Sequence, residues 1–599
     1  MTATLAAARR WAALTATIGG LAVLVAALPW LRDDDPARSV LRARLGEREP
    51  DPAALAAVRS ELDLPAGPVQ GAAQWLSGAV TGDLGRSWVD GSSVAETVAA
   101  AAGVSALLGG AAAVVAVAVG LLLGAPAAWT AASGRRPRAG FTAAALTALP
   151  EFVLAAVLIT VVAVNWRLAP TAGWFGPSYL VLPALALGIP TGGLLARLLI
   201  TAVEATAAEP WVHTWRAAGS GRGELAAALL RRAVTVVVTQ VAVLFVGLLG
   251  GAVAVEQLFA IPGLGRIALH ASLAQDLPLV QGCVLLLVIV GVAVGGLGIA
   301  VHRLLLGPAG AAASLIPAVP AHRRRGRRVA PIAAATLLLG VVVAGLLRDA
   351  DRVRLGARLT GPSWAHPLGA DPVGRDVLAQ LGHGAVLTVG TAAAVTVVSL
   401  LAGLTIGLRG GAARAGAADI LNALPPVFVG LVVAAILSPG LAAAALAAAL
   451  VAWVPLGVHT RGLAEEVRAS GYYRAAELCG AGPGRLLRRH LLPAVAGPVV
   501  LHALARVPAT ALTIAGLGFL GLGAGHDSPE WGAQLATAVA YLERAPLAVL
   551  GPVAGLGLLG VLAAAAPTAS PAGSRSGTAP DTGRGETAPP AAPLTKAMT

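Results

Sequence analysis

Long stretches without any ionisable side chain constrain this chain most strongly. The run from Val241 to Val255 and the run from Leu547 to Ala566 contain no Asp, Glu, Lys, Arg or His. About 20 such residues in a helix cover the roughly 30 Å hydrocarbon core of a bilayer. Hydrophobic residues make up 57% of the 599 residues and charged residues 12%. We therefore predict an all-α polytopic membrane protein, because a β-barrel would show short segments of alternating polarity instead.

Hydrophobic segments of spanning length fall into two groups of six, which predicts about 12 transmembrane helices. The first group lies near residues 11–31, 103–132, 142–164, 179–203, 233–255 and 280–301. The second group lies near residues 330–347, 385–407, 419–437, 441–460, 494–517 and 547–566. With a cytosolic N-terminus, the loops that carry clustered arginines all face the cytosol, as the positive-inside rule requires. We expect the C-terminus to be cytosolic as well.

The division between the two halves is visible in the composition. Residues 1–306 form the first half and residues 330–566 the second, joined by a basic cytosolic linker, 307–329. Longer segments, near 32–100 and 348–384, face the extracytoplasmic side. The tail, 567–599, is dense in Pro, Ala, Gly, Ser and Thr, so we expect it to be disordered. The first span has the form of an uncleaved signal anchor, with a removed signal peptide as the rival interpretation.

Several classes of function find no support in the residues. A nucleotide-binding P-loop needs a lysine in its glycine-rich turn, yet the only lysine is Lys596, in the tail. No Ser-His-Asp order, carboxylate pair or Cys/His spacing typical of a metal site stands out. The formal net charge of +13 comes mainly from loops between apolar segments, so nucleic-acid binding is not expected. We predict no catalytic residue and no bound cofactor or metal in this chain.

A loop of similar composition precedes the fifth segment of each half. The second copy reads Arg474–Ala476, three residues, Gly480, nine residues, and then His490–Pro493. The first copy reads Arg216–Gly219, followed by Leu229 and two arginines. A short helix of small residues lets another protein approach its backbone. Two copies at matching positions favour a docking site over an ordinary connector.

These residues resemble the coupling loop of the inner-membrane permeases of ABC importers of the dipeptide, oligopeptide and nickel class. The second copy matches the family's spacing, Glu-Ala-Ala-x3-Gly-x9-Ile-x-Leu-Pro, with Arg474 in place of Glu and His490 in place of Ile. The resemblance implies a coupling helix that sits in a cleft of a partner ATPase. The residues that it assigns to the two loops are Thr214, Arg216, Ala217, Ala218, Gly219, Arg474, Ala475, Ala476, Gly480, Leu492 and Pro493.

Further motifs resemble the two separate permease subunits of such importers. The B-type subunit is matched in the first half by Leu62–Pro65, Gly82–Gly85, Leu149-Pro150 at the start of the third span, and Glu256–Arg266. The C-type subunit is matched in the second half by His366–Asp371, Gly374–Asp376, Leu517–Gly523 and Ser528–Gly532. The family residues implied at the extracytoplasmic or gate side are Pro262, Gly263, Gly265, Asp371, Gly374, Arg375, Asp376, Gly518, Gly521, Gly523, Trp531 and Gly532.

The resemblance implies two six-helix permease halves, B-type and C-type, fused in one chain and arranged with pseudo-twofold symmetry in the inner membrane. It also implies two ABC ATPase subunits or domains, which use ATP and Mg, and an extracytoplasmic solute-binding protein. Peptides are the leading substrate class. The rival interpretation is a twelve-span secondary carrier coupled to an ion gradient, for which Glu151, Arg197 and Arg506, near span ends, are the ionisable candidates.

Overall fold

The computed structural model describes residues 19–20, 22–23, 25–30, 41, 52–61, 67–135, 140–147, 149–306, 329–409 and 425–565. Apart from two isolated β-bridges, the regular elements in these ranges are all helices. The all-α prediction is confirmed. Most of the expected first span, the linker up to residue 328 and the tail lie outside the described residues.

The helices of the first half are α1 (Pro52–Glu61), α2 (Pro68–Thr81), α3 (Val94–Ala132), α4 (Gly140–Thr147), α5 (Glu151–Leu158), α6 (Ser178–Ala207), α7 (Pro210–Ala217), α8 (Arg222–Leu258), α9 (Leu264–Leu273) and α10 (Leu277–Leu306). Those of the second half are α11 (Val329–Leu346), α12 (Val377–Arg409), α13 (Pro426–Leu437), α14 (Leu441–Ala469), α15 (Gly471–Leu478), α16 (Pro483–Leu486), α17 (Leu492–Phe519), α18 (Trp531–Ala538) and α19 (Pro546–Ala565). Two π-helical segments extend α5 (Ile159–Asn165) and join α16 to α17 (Leu487–Leu491).

Each expected span from the second onward overlaps one of these helices. Among the described residues, α3, α6, α12, α14 and the continuous stretch Pro483–Phe519 are long and apolar enough to cross a membrane. The second span of each half starts earlier than its hydropathy indicated, at Val94 and Val377. Side chains decide these starts: Ser93 accepts a hydrogen bond from an N–H group in the first turn of α3, and Asp376 does the same for α12. The helices α3 and α12 thus take up the last residues of the two segments predicted to be extracytoplasmic.

The stretch 142–164, predicted as the third span of the first half, contains parts of two separate helices. α4 ends at Thr147, and Pro150 is extended (φ −63°, ψ 136°) before α5 begins at Glu151. Proline has no N–H group and disfavours a helical conformation in the residue before it. α3 and α6 continue through internal prolines, but Pro150 itself is extended and therefore separates α4 from α5. Leu149-Pro150 therefore immediately precedes the apolar stretch Glu151–Asn165, and its place at the entry to the third span stays a prediction. Pro425 has nearly the same conformation (φ −62°, ψ 133°) before α13.

Glycines spaced four residues apart bring the second and fourth spans of each half together. A Cβ atom on Gly120 of α3 would lie 2.8 Å from the Leu195 side chain of α6, and Gly124 contacts the next turn of α6. Gly403 and Gly407 of α12 contact α14 in the same manner. Small residues at this spacing let helix backbones approach closely in a membrane. These two helix pairs form the most extensive packing contacts of their halves.

The two halves share one apolar core. Phe152 on α5 stacks against Phe519 at the end of α17, with ring centroids 4.4 Å apart. Ser272 on α9 donates a hydrogen bond of 2.8 Å to the carbonyl oxygen of Leu431 on α13. Leu431 is completely buried in a cluster of side chains from both halves. Contacts between helices therefore join the halves independently of the linker.

We predict that the halves remain associated after the linker is cut. A protease site inserted after Ser314 and cleaved in mild detergent should leave two fragments that elute together from a size-exclusion column. Phe519→Ala should weaken this association, because loss of a packed phenylalanine ring costs on the order of 3 kcal/mol. Phe175→Ala is the matched control, because that ring is 84% exposed. Fragments that separate without any substitution would contradict the prediction.

Candidate functional site

The second loop contains a short surface helix that ends at a glycine. Arg474 and Ala475 on α15 are exposed, and Ala476 is half-buried. Gly480 follows with a φ of 79°, in the left-handed region that glycine enters without strain. The N–H groups of Gly480 and Ala481 donate hydrogen bonds of 3.0 and 3.1 Å to carbonyl oxygens in the last turns of the helix. This pattern is typical of glycine-terminated helices.

The first loop has the same backbone structure. Thr214, Arg216 and Ala217 lie on α7, Ala218 follows the helix, and Gly219 ends the turn with a φ of 78°. The N–H groups of Gly219 and the next residue donate hydrogen bonds of 3.1 Å back into the helix. α7 and α15 each have eight residues. The two loops therefore repeat in three dimensions as well as in sequence.

The alanine pairs of the two loops are not equivalent in space. Counting back from the terminal glycines, Gly219 and Gly480, Ala475 corresponds to Thr214. Ala217, the first alanine of the pair in the first loop, lies three residues later in this count. The glycine decides the alignment because it is the position with the left-handed φ angle. Relative to their terminal glycines, the two alanine pairs therefore differ by three positions, which is almost one helical turn.

One additional residue is accommodated between the second loop and the fifth span. Leu225 of the first half and Leu486 of the second half are buried at corresponding positions, and they lie 261 positions apart in the chain (486 − 225). Leu486 lies just before the π-helical segment that joins α16 to α17. After it, the buried residues Val237 and Val499 correspond, 262 positions apart (499 − 237). A π turn absorbs such an insertion without ending the helix. Leu492-Pro493 then forms the first turn of α17, where proline is tolerated.

Arg216 is half-buried, and its guanidinium reaches from the first loop to the second span. Its Nη2 atom donates a hydrogen bond of 2.7 Å to the carbonyl oxygen of Ala131, near the end of α3. Arg468, at the end of α14, makes the same 2.7 Å bond to Leu408, near the end of α12. The last carbonyl groups of a helix lack partners within it, and a cation there also suits the helix dipole. An arginine in or just before each loop thus bonds to the second span of its half. In the sequence, only the position of Arg468 at the end of α14 could have indicated this role.

The motif residues before α12 form a closed polar loop at the opposite end of the second half. Asp371 accepts hydrogen bonds of 2.8 Å from the backbone N–H and the Nε of Arg375. Asp376 caps α12 and forms an ion pair of 2.6 Å with Arg348. Gly374, with a φ of 88°, makes the turn. Asp371, Arg375 and Asp376 are each less than a tenth exposed, so these charges hold the loop together.

The first half builds the same loop from different residues. A backbone bridge joins Arg86 to Ser93, as another joins Ala370 to Asp376. Ser87 replaces the aspartate: its hydroxyl accepts hydrogen bonds from two backbone N–H groups of the turn and donates one to Asp276. Burial raises the pKa of the Asp276 carboxyl, and this hydrogen bond opposes the shift only in part. The two motifs share only a Leu-Gly pair, which is too common a signal to reveal the equivalence.

The glycine-rich motif of the first half surrounds α9. Pro262 and Gly263 immediately precede this helix, and Gly265 is its second residue. A Cβ atom on Gly265 would lie 2.8 Å from the Cα atom of Val253 on α8. The glycine therefore allows α9 to pack directly against the backbone of the fifth span.

The second half has the corresponding motif around α18. Gly518 lies within α17, whereas Gly521, with a φ of 77°, makes the turn that follows. A Cβ atom on Gly523 would lie 2.7 Å from the Cα atom of Gly518. Trp531 is fully buried, and its indole N–H donates a 3.1 Å hydrogen bond to α12. Gly532 contacts the backbone of α17, as Gly265 contacts that of α8.

Each of these short helices begins beside a buried carboxylate. Glu256 and Glu530 have no exposed surface. Ser105 on α3 donates a 2.6 Å hydrogen bond to Glu256, and Thr388 on α12 donates a 3.1 Å hydrogen bond to Glu530. Burial raises the pKa of the Glu530 carboxyl, and its hydrogen bonds oppose the shift only in part. Both glutamates belong to motifs seen in the sequence, but neither was assigned a role there.

We predict that the left-handed glycine is needed to hold the second loop. Gly480→Ala should cost about 1–2 kcal/mol, because a Cβ atom disfavours a φ of 79°. Gly482→Ala is the matched control, because both positions are open but Gly482 has a φ of −65°. Limited tryptic digestion at the loop arginines should be about fivefold faster in Gly480→Ala only. Equal digestion rates in both variants would contradict the prediction.

Two stretches of the chain, residues 120–306 and 395–569, match the family described as binding-protein-dependent transport system inner membrane component. Together they cover more than half of the chain. The di/tripeptide transport system permease protein DppC of Pseudomonas aeruginosa (strain UCBPP-PA14) is 38% identical over 200 residues, 31% of this chain and 66% of that protein. The dipeptide transport system permease protein DppC of Alkalihalophilus pseudofirmus is 33% identical over 202 residues, 33% of this chain and 66% of that protein.

The peptide transport system permease protein SapC of Escherichia coli O6:H1 is 34% identical over 220 residues, 34% of this chain and 74% of that protein. The chain thus spans about two thirds of the length of the first two relatives, and each of the three matches about a third of this chain. The family domain occurs once in each half. The chain therefore belongs to the family of inner-membrane permease components of binding-protein-dependent transport systems, with two copies of the family domain fused in one multi-pass polypeptide.

Proposed function

We propose that this chain supplies both permease halves of an ATP-driven ABC importer. Two ATPase subunits or domains, which use ATP and Mg, would dock on the loops that contain α7 and α15. An extracytoplasmic solute-binding protein would deliver the solute to the opposite end. Both termini would be cytosolic. The observation that carries this proposal is the repeated surface helix with its glycine end, one in each half.

Exposed apolar side chains on the two loops support a protein partner. Trp215 on α7 is 41% exposed, and Leu478 on α15 is 89% exposed. Large apolar side chains on a polar loop are typical of an interaction surface when they lie together with charged groups. Exposed arginines, Arg485 and Arg488 among them, surround α15. Since α7 exposes a tryptophan where α15 has a half-buried alanine, we expect the two docking sites to differ in affinity.

Closure of the two ATPases on ATP would move the halves as rigid bodies. Each loop is tied to the second span by an arginine and continues into the fifth span. α8 and the stretch Pro483–Phe519 each have 37 residues, which corresponds to about 55 Å of helix. A displacement of a loop would therefore reach the far end of its half through one continuous helix.

Short peptides are the substrate class that we propose. The printed names of the relatives refer to di/tripeptide, dipeptide and peptide transport. Cells that carry the gene should take up a radiolabelled dipeptide, and cells in which it is deleted should not. Depletion of ATP should stop uptake, whereas a protonophore that leaves ATP intact should not.

An ion-coupled carrier is the second candidate, and the position of Glu151 favours it. This carboxylate begins α5, within the stretch 142–164 predicted as the third span, and it lies against Gly251 of α8. A carboxylate within a membrane span is often part of a proton pathway. Uptake that stops with the protonophore and with Glu151→Gln, at undiminished ATP, would support the carrier and contradict the importer.

We predict that a large side chain introduced at Thr214 has the same effect on ATPase docking as one introduced at Ala475. Thr214→Trp and Ala475→Trp should each abolish co-purification of the ATPase subunits with the chain, because both residues occupy the same position on the loop helix. Ala217→Trp is the matched control: Ala217 corresponds to Leu478, where a large exposed side chain is already present. Loss of co-purification with Ala217→Trp and not with Thr214→Trp would contradict the structural alignment.

A further inference from the structure

We infer that Glu256 and Glu530 supply the same buried carboxylate in their respective halves, although they occupy different positions along the chain, and that each is a positioning residue. Each clamps the short helix after the fifth span onto the second span of its half. The first clamp consists of Ser105, Glu256 and the residues Leu264–Arg266. The second clamp consists of Thr388, Glu530 and the residues Trp531–Ala533. Neither clamp depends on the proposed solute or energy source.

The first clamp joins three helices at one point. Glu256 projects from α8, and its Oε1 atom accepts a 2.6 Å hydrogen bond from Ser105 Oγ on α3. Its Oε2 atom accepts a 3.0 Å hydrogen bond from the N–H group of Arg266 on α9. Ser105 Oγ in turn accepts a 2.8 Å hydrogen bond from the N–H group of Leu264. The side chain of the fifth span thus caps α9 and holds it on α3.

The second clamp has the same bonds, but its carboxylate comes from another place in the chain. Glu530 immediately precedes α18, and its Oε1 atom accepts a 3.1 Å hydrogen bond from Thr388 Oγ1 on α12. Its Oε2 atom accepts a 3.0 Å hydrogen bond from the N–H group of Ala533. Thr388 Oγ1 accepts a 3.0 Å hydrogen bond from the N–H group of Trp531. The hydroxyl and the carboxylate cap the first and third residues of the short helix, as in the first half.

The two halves exchange a glutamate and a glycine. Gly263 precedes α9 at the position that Glu530 has before α18. Gly518 lies on α17 at the position that Glu256 has on α8, three residues after the backbone contact with the short helix. A Cβ atom on Gly263 would overlap the Glu256 carboxylate, and one on Gly518 would overlap the Glu530 carboxylate.

Each half therefore has room for one carboxylate and requires one. Without it, N–H groups at the start of the short helix would be left unpaired in a buried site, which is costly. With two, like charges would share a site without solvent. The glycines at Gly263 and Gly518 are needed for the glutamate that faces them, in addition to any role in a turn.

The two clamps position different contacts. α9 reaches the other half, because its Ser272 donates a hydrogen bond to Leu431 on α13. The side-chain hydrogen bonds that the structure records for α18 remain in the second half, where Trp531 and Gln534 bond to α12. The first clamp thus positions the interface between the halves, and the second positions α18 within its own half.

The test is transposition of the glutamate within the full-length chain. Glu256→Gly and Gly263→Glu, each alone, should lower the midpoint of thermal unfolding in detergent by about 5 °C or more. The double variant Glu256→Gly with Gly263→Glu should recover at least half of that loss, because it recreates the arrangement of the second half. The reciprocal set is Glu530→Gly, Gly518→Glu and the double variant. Gly525→Glu is the control, because it adds a carboxylate to an open position in the same loop as Glu530.

A second readout distinguishes positioning from general destabilisation. In the chain cut within the linker, Glu256→Gly should reduce co-elution of the two fragments severalfold, whereas Glu530→Gly should leave it unchanged. If the glycine variants do not accumulate, Ser105→Ala and Thr388→Ala remove the bridging hydroxyls and should show the same difference. A double variant no more stable than its weaker single variant, or equal loss of co-elution from both halves, would overturn the inference.

Discussion

Backbone N–H and C=O groups inside an apolar bundle must find partners within the protein, and this requirement organises the whole chain. Long helices satisfy it along their length, so difficulties arise only where helices start, stop or break. At those points the structure places polar side chains, some fully buried and some half-buried. Glu256 and Glu530 cap short helices, Asp376 caps the start of a span, and Arg216 and Arg468 bond the last carbonyl groups of another.

The two halves preserve these bonds more closely than they preserve residues. Ser87 accepts the backbone hydrogen bonds of the turn before α3, and Asp371 accepts those of the turn before α12. In one half, an arginine from the loop helix donates a hydrogen bond to a carbonyl group near the end of the second span. In the other half, an arginine from the fourth span donates the corresponding bond. Even the buried carboxylate can arise from two chain positions. The physical demand is for an acceptor or a donor at a given point in space, and any nearby segment can supply it.

The proposed transport cycle uses the same features. The loops and the clamps lie at opposite ends of the fifth spans, so one rigid element connects the proposed ATPase docking site to the start of the short helix. The π turn before α17 allows one additional residue without loss of this continuity. Extended prolines precede α5 and α13, so neither of these two helices begins as a continuation of a helix on its N-terminal side.

The sequence by itself determined the all-α membrane fold, the division into two halves and the positions of both loops, because apolar run length, charge bias and a repeated glycine pattern are local signals. It also marked the glycine and acidic residues of the motifs without giving their roles. Only the tertiary structure decided that Ala475 corresponds to Thr214 and that Glu256 and Glu530 are equivalent. The first relation depends on which glycine adopts the left-handed conformation. The second depends on which backbone groups meet across helices far apart in the chain, and no local pattern records that.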